Sequence, residues 1–85
     1  MIITKIQPQE NWVLSVVSDD GRTGCFDVSP YLEDEAFAPL RDHNKFAKVV
    51  NGGYFVEWDC GADLSADTIE ARWQIRGKTN AQKTG

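Results

Sequence analysis

The chain has 85 residues and a net charge of −4, with 41% hydrophobic and 26% charged residues, which is a globular composition and one domain's worth of chain. No segment approaches the ~20 consecutive apolar residues of a membrane span, and the N-terminal MIITKIQPQ lacks the apolar core of a signal peptide. A soluble, cytoplasmic protein with no membrane partner is expected, its small core marginal enough that a partner protein or a second copy would help.

Charge is unevenly distributed. Residues 1–71 hold five basic and thirteen acidic side chains, whereas Arg72, Arg76, Lys78 and Lys83 follow with no acid among them. An acidic body argues against a general grip on a polyanion and suits a basic partner protein. Residues 77–85 are nearly devoid of apolar side chains. They cannot offset their ordering entropy, so a single domain over 1–76 followed by a disordered basic tail is expected. Arg76, Lys78 and Lys83 are then the candidate phosphate contacts of a tail that touches nucleic acid; the plainer reading is a solubilising terminus.

In chain order, Ile2 to Ile6 alternate up to Pro8, as in an edge strand. A turn at Gln9-Glu10-Asn11 leads to a second strand over Trp12 to Val17, and Asp19-Asp20-Gly21 predicts a tight hairpin into a third, Arg22 to Val28. That alternation puts Cys25 and Asp27 on one face and Phe26 and Val28 on the other. Ser29 followed by Pro30 predicts a helix start, with Ser29 as N-cap and Glu33, Asp34 and Glu35 near the positive end of the dipole. Pro39 limits it to one or two turns, anchored by Phe37 and Leu40. Asp42-His43-Asn44 reads as a turn, Phe46 to Val50 as a fourth strand, and Gly52-Gly53 as a hairpin onto a fifth, Tyr54 to Trp58. After a loop at 59–63, Ser65 caps a second helix that carries Asp67 in its first turn and Ile69 and Trp73 on its apolar stripe, with Leu64 packed against it, and that fades near Gly77. The expected fold is α+β: a small antiparallel sheet of about five strands, one short helical turn and a C-terminal helix.

Few residues offer chemistry. His43 with Cys60 would form a nucleophile–base couple, but no glycine-rich elbow supplies an oxyanion hole, and a solvated turn histidine is the simpler reading. Cys25 and Cys60 lack the paired spacing of a zinc site; two reduced thiols are expected, with Cys60, in a polar turn, the more reactive. The acids at Glu33-Asp34-Glu35 read as a solvated helix start. Asp59 and Asp63 flank Gly61 without the fuller spacing of a calcium loop, which favours Asx-turn and capping roles, with Asp63 bonding backbone N–H groups ahead of the helix. No metal or cofactor is implied. Trp12, Trp58 and Trp73 read chiefly as core filler, and Tyr31 and Trp58 are the aromatic residues chosen as partner anchors.

The order Phe26-Asp27-Val28-Ser29-Pro30-Tyr31-Leu32, Ala36 to Leu40, Phe46 to Val50, Val56-Glu57-Trp58, then Gly61-Ala62-Asp63-Leu64-Ser65-Ala66-Asp67-Thr68-Ile69 resembles a bacterial family, domain of unknown function 2442. The resemblance runs over nearly the whole chain to about residue 73. It implies a small α+β fold on an antiparallel sheet, followed in some relatives by a helix-turn-helix domain and in some genomes encoded beside a small partner in a toxin–antitoxin-like arrangement. It supplies no catalytic residues. Only a dozen residues follow Trp73 here, too few for a DNA-binding domain, so direct operator binding is not expected.

Two readings follow. The first is a non-enzymatic interaction module, antitoxin-like in one form, that takes a small basic protein on an acidic and aromatic surface formed by Tyr31, Glu33, Trp58, Asp59 and Asp63. The second is a nucleic-acid-linked regulator accessory that uses the basic tail. A thiol- or metal-dependent enzyme built on Cys60 and His43 is a weaker third. The exposed edge at Ile2 to Ile6 also makes a homodimer a candidate.

Overall fold

The computed structural model describes residues 1–75; the tail contacts expected at Arg76, Lys78 and Lys83 lie outside the described residues. The α+β expectation holds, but the strands form two antiparallel sheets rather than one. Numbered in chain order, the strands are β1 (Ile3–Gln9), β2 (Val13–Ser18), β3 (Thr23–Asp27), β4 (Val50–Asn51), β5 (Phe55–Glu57), β6 (Asp63–Ser65) and β7 (Gln74–Ile75); the larger sheet has the order β1-β2-β3-β7 and the smaller β4-β5-β6.

Strand β1 (Ile3–Gln9) pairs with β2 (Val13–Ser18), and β2 with β3 (Thr23–Asp27). The simple alternation expected from Ile2 to Ile6 is broken by a register shift between Ile3 and Lys5. A bulge inserts one residue and flips the pleat, so Ile3 and Ile6, three positions apart, both turn toward the core opposite Ser18 and Val16. As expected, β1 is an outer strand, and its ends are tied down: Ile3 N–H donates to the Gly53 carbonyl at 2.7 Å, and His43 Nε2 lies 3.2 Å from the Gln9 carbonyl. The link to β2 places Asn11 and Trp12 in the left-handed region, at φ of 62° and 59°. For Trp12 this is strained backbone, held by its indole N–H on the Leu40 carbonyl at 2.6 Å.

The hairpin at Asp19-Asp20-Gly21 is present in a different form. Only Gly21 has positive φ, Gly21 N–H donates to the Ser18 carbonyl, and Ser18 N–H donates to that of Arg22, which is a three-residue loop with a glycine bulge rather than a two-residue primed turn.

After β3 the chain forms two 3-10 segments, Ser29–Glu33 and Glu35–Arg41, then the single-turn helix α1 (His43–Phe46). Ser29 is not the N-cap: it lies inside the first segment, and the Asp27 carboxylate accepts both its N–H at 3.0 Å and its hydroxyl at 2.7 Å. Phe37 and Leu40 are buried as expected. The fourth strand expected over Phe46 to Val50 is corrected: Asp42 accepts from Asn44 N–H and caps α1, Phe46 closes that helix, and only Val50–Asn51 extends as β4. The Gly52-Gly53 hairpin onto β5 (Phe55–Glu57) is present, Gly52 N–H donating to the Phe55 carbonyl.

Helix α2 (Ala66–Arg72) begins as expected, Ser65 Oγ accepting from Thr68 N–H at 3.1 Å. It stops earlier than expected. Trp73 turns extended, with ψ of 163°, and Gln74–Ile75 form β7 against Cys25 and Gly24. The core lies between the sheets, α2 and the 3-10 segments, and its fully buried side chains include Leu14, Val16, Phe26, Leu40, Phe46, Val56 and Ile69. Each such side chain contributes about 1.5–3 kcal/mol by leaving water.

Candidate partner-binding face

The residues from 58 to 65 are a strand hairpin that the sequence does not announce. Trp58 N–H donates to the Ala62 carbonyl and Gly61 N–H to the Trp58 carbonyl, with Gly61 at φ of 97°. This is the same three-residue loop as at Ser18–Arg22, and it turns β5 back into β6 (Asp63–Ser65). Asp63 therefore sits in a strand, not in a capping loop; the cap expected of it is Ser65's.

Along β5 and β6, Val56 and Leu64 face the core, while Phe55, Glu57, Asp63 and Ser65 face solvent. Trp58 N–H to the Ala62 carbonyl and Ala66 N–H to the Tyr54 carbonyl mark the hydrogen-bonded pairs. Glu57–Asp63 and Phe55–Ser65 are consequently the non-hydrogen-bonded pairs, whose side chains stand closest, with Cα atoms about 4.5 Å apart. Glu57 is directly opposite Asp63, and Val50 of β4 is opposite Glu57. Among the described residues no Lys or Arg pairs with either carboxylate; the ion pairs there are Arg22 with Asp20 and Glu70, and the Met1 amino group with Glu70. Opposed like charges destabilise a sheet. On the same face stand two exposed large apolar side chains, Val50 at 53% exposure and Phe55 at 38%.

The five residues selected from sequence divide into three groups. Asp59 and Asp63 are exposed on this hairpin. Trp58 is corrected: it is 3% exposed, its indole N–H donates to the Phe46 carbonyl at 2.8 Å, and it stacks on Phe46 with ring centroids 6.0 Å apart, so it cannot anchor a partner. Tyr31 is half-buried between Phe26 and Phe37, and the exposed Glu33 lines a shallow groove with Trp12, Leu32 and Arg41. Sequence reading missed Glu57, Phe55 and Val50. The signal was the Asp-x-Gly spacing shared by Asp19-Asp20-Gly21 and Asp59-Cys60-Gly61, which sets Phe55 and Glu57 alternating against Asp63 and Ser65.

The catalytic alternatives gain no geometry. His43 is committed to the Gln9 carbonyl and to the rings of Trp12 and Phe46, each with centroids 5.4 Å away. Cys60 lies on the β5–β6 turn, at a cleft of about 290 Å³ shared with Leu40, Lys45, Lys48, Trp58 and Asp59. Among the described residues no group of three His, Cys, Asp or Glu side chains is placed to hold a metal ion, and no helix is long and apolar enough to cross a membrane.

Fold and face together define a small two-sheet α+β domain with an acidic, aromatic outer surface. The chain belongs to the family described as protein of unknown function (DUF2442), whose model matches residues 3–74. No curated protein and no solved structure matches it.

Proposed function

We propose that the domain is a non-enzymatic interaction module that receives a basic protein on the outer face of the β4-β5-β6 sheet, through Glu57, Asp59 and Asp63 beside Phe55 and Val50. The observation that carries this reading is the direct opposition of Glu57 and Asp63 in a non-hydrogen-bonded pair, with neither carboxylate in an ion pair among the described residues. Such a pair costs the isolated domain stability and repays a partner that brings a Lys or Arg. The exposed neighbours Phe55 and Val50 supply the apolar contact that charge alone lacks. An antitoxin-like pairing with a small basic protein is the form of this reading that the family resemblance suggests. The nucleic-acid reading rests on Arg76, Lys78 and Lys83 and draws no support from the described residues.

The test is affinity capture from the source cells, with and without nuclease, by the native domain and by Glu57→Gln/Asp63→Asn. A stoichiometric basic protein lost from the double variant is the expected result. A captured set that is the same for both, or that vanishes with nuclease, contradicts the reading.

A further inference from the structure

The free edge of β6 adds a specific mode of engagement to this face. The hydrogen-bonded pairs of the β5–β6 ladder run through Trp58–Ala62, Val56–Leu64 and Tyr54–Ala66. Main-chain groups alternate in direction along an antiparallel strand, so Asp63 N–H and C=O, and Ser65 N–H, point away from β5. Among the described residues no strand lies on that side, because β6 is the outer strand of its sheet, and both residues are exposed. The opposite edge of this sheet runs against β1: Ile3 N–H donates to the Gly53 carbonyl, and the Asn51 side-chain amide donates to the Ile3 carbonyl. An open strand edge is a template for another strand.

We propose that an extended basic segment of a partner protein pairs antiparallel with β6, setting a Lys or Arg directly across from Asp63. That cation completes the row Val50, Glu57, Asp63 on the outer face and neutralises the like-charge pair, while the residue before it turns inward beside Leu64. Charge complementarity chooses the occupant: a second copy laid on this edge brings another Glu57–Asp63 pair against the first, whereas a strand with a cation every second residue removes the repulsion. Strand addition of this kind draws affinity from main-chain hydrogen bonds and specificity from alternate side chains. The inference rests on the reading of the acidic face as a partner surface.

The test uses the full chain and three blocked hexapeptides of alternating lysine and valine: one unmodified, one N-methylated at every lysine and one N-methylated at every valine. The lysine opposite Asp63 uses its own amide toward β6, so methylation there removes hydrogen bonds, whereas valine amides face away. Titration by calorimetry should show binding of the unmodified and valine-methylated peptides, about tenfold or more weaker binding of the lysine-methylated one, and comparable weakening of the unmodified peptide by Asp63→Asn. In amide exchange, bound peptide should slow Asp63 and Ser65 selectively. Equal binding of all three peptides, lost in Asp63→Asn, would overturn strand addition and leave the acidic-face reading standing. Absence of binding by any peptide at millimolar concentration would overturn both. Self-association that protects Asp63 and Ser65 without peptide would overturn the choice of occupant.

Discussion

Trp58 shows how residue type misleads without its pleat. A tryptophan beside Asp59 in a charged stretch reads as an anchor, yet β5 alternates so that Val56 and Trp58 turn inward and Phe55 and Glu57 outward. Its ring joins Phe37, at 6.1 Å between centroids, to Phe46, and its N–H satisfies a buried carbonyl. Trp58→Phe should cost about 1–3 kcal/mol through the unsatisfied Phe46 carbonyl, and Trp58→Ala about 3–5 kcal/mol through the cavity, both read by urea unfolding. Gly61 isolates a different cost: a Cβ there would meet nothing within 4 Å, but φ is 97°. Gly61→Ala should therefore lose about 1–2 kcal/mol from backbone conformation alone, and Gly21→Ala, in the same turn at φ of 89°, a similar amount. A large difference between the two would show that the turns are not equivalent.

At the scale of elements, the β2–β3 hairpin is fastened to α2 by Arg22, which lies 2.8 Å from both Asp20 Oδ2 and Glu70 Oε2 and 5.5 Å from the Trp73 ring centroid. The hydrogen bond from Ser18 Oγ, then those from Arg22, lower Asp20 from 3.8 to about 2, and Arg22 likewise holds Glu70 below its ordinary value. Carboxylates depressed in the folded state contribute stability that is fully present above their unfolded values near pH 4 and lost as pH falls toward about 2. Glu70→Gln should be less stable than the native chain at pH 6 and converge with it in strong acid; a pH-independent difference would contradict this. Gly24 lets β7 approach, since a Cβ there would lie 2.6 Å from the Trp73 ring and 2.9 Å from the Gln74 carbonyl. Gly24→Ala should displace Trp73 and expose the amides of β7 to exchange while leaving β1 and β2 protected.

Legibility followed element length. The strands with several alternating residues, β2 and β3, and the capped start of α2 were readable, because burial on one face and a Ser cap each write a local pattern. Strands β4 and β7, of two residues, and β6, of three, are too short to stand out from their neighbours, and only their partners define them, whereas the equally short β5 is marked by the Gly52-Gly53 turn before it. Phe46 to Val50 is apolar enough for a strand, but the Asp42 cap starts a helical turn first. The same limitation hides most of the candidate site: Asp59 and Asp63 stand out in the sequence as acids, while Glu57 acquires meaning only from its register against Asp63.

For the whole molecule, the outer face of the second sheet sets stability against binding. The native chain carries an acidic pair there with no ion-pair partner among the described residues, and the acidic body reinforces it. Removing both charges should stabilise the free domain by about 0.2–1 kcal/mol, less at high salt as screening shortens the reach of the repulsion. A basic ligand should stabilise the native chain selectively, because binding to the folded state alone raises its unfolding free energy. The most direct measurement is urea unfolding of the native domain and of Glu57→Gln/Asp63→Asn at low salt, with and without excess alternating lysine–valine peptide. The order of stability should reverse: the double variant is the more stable alone, and the native chain the more stable with peptide. A double variant no more stable than the native chain, or a peptide that stabilises both equally, would contradict it.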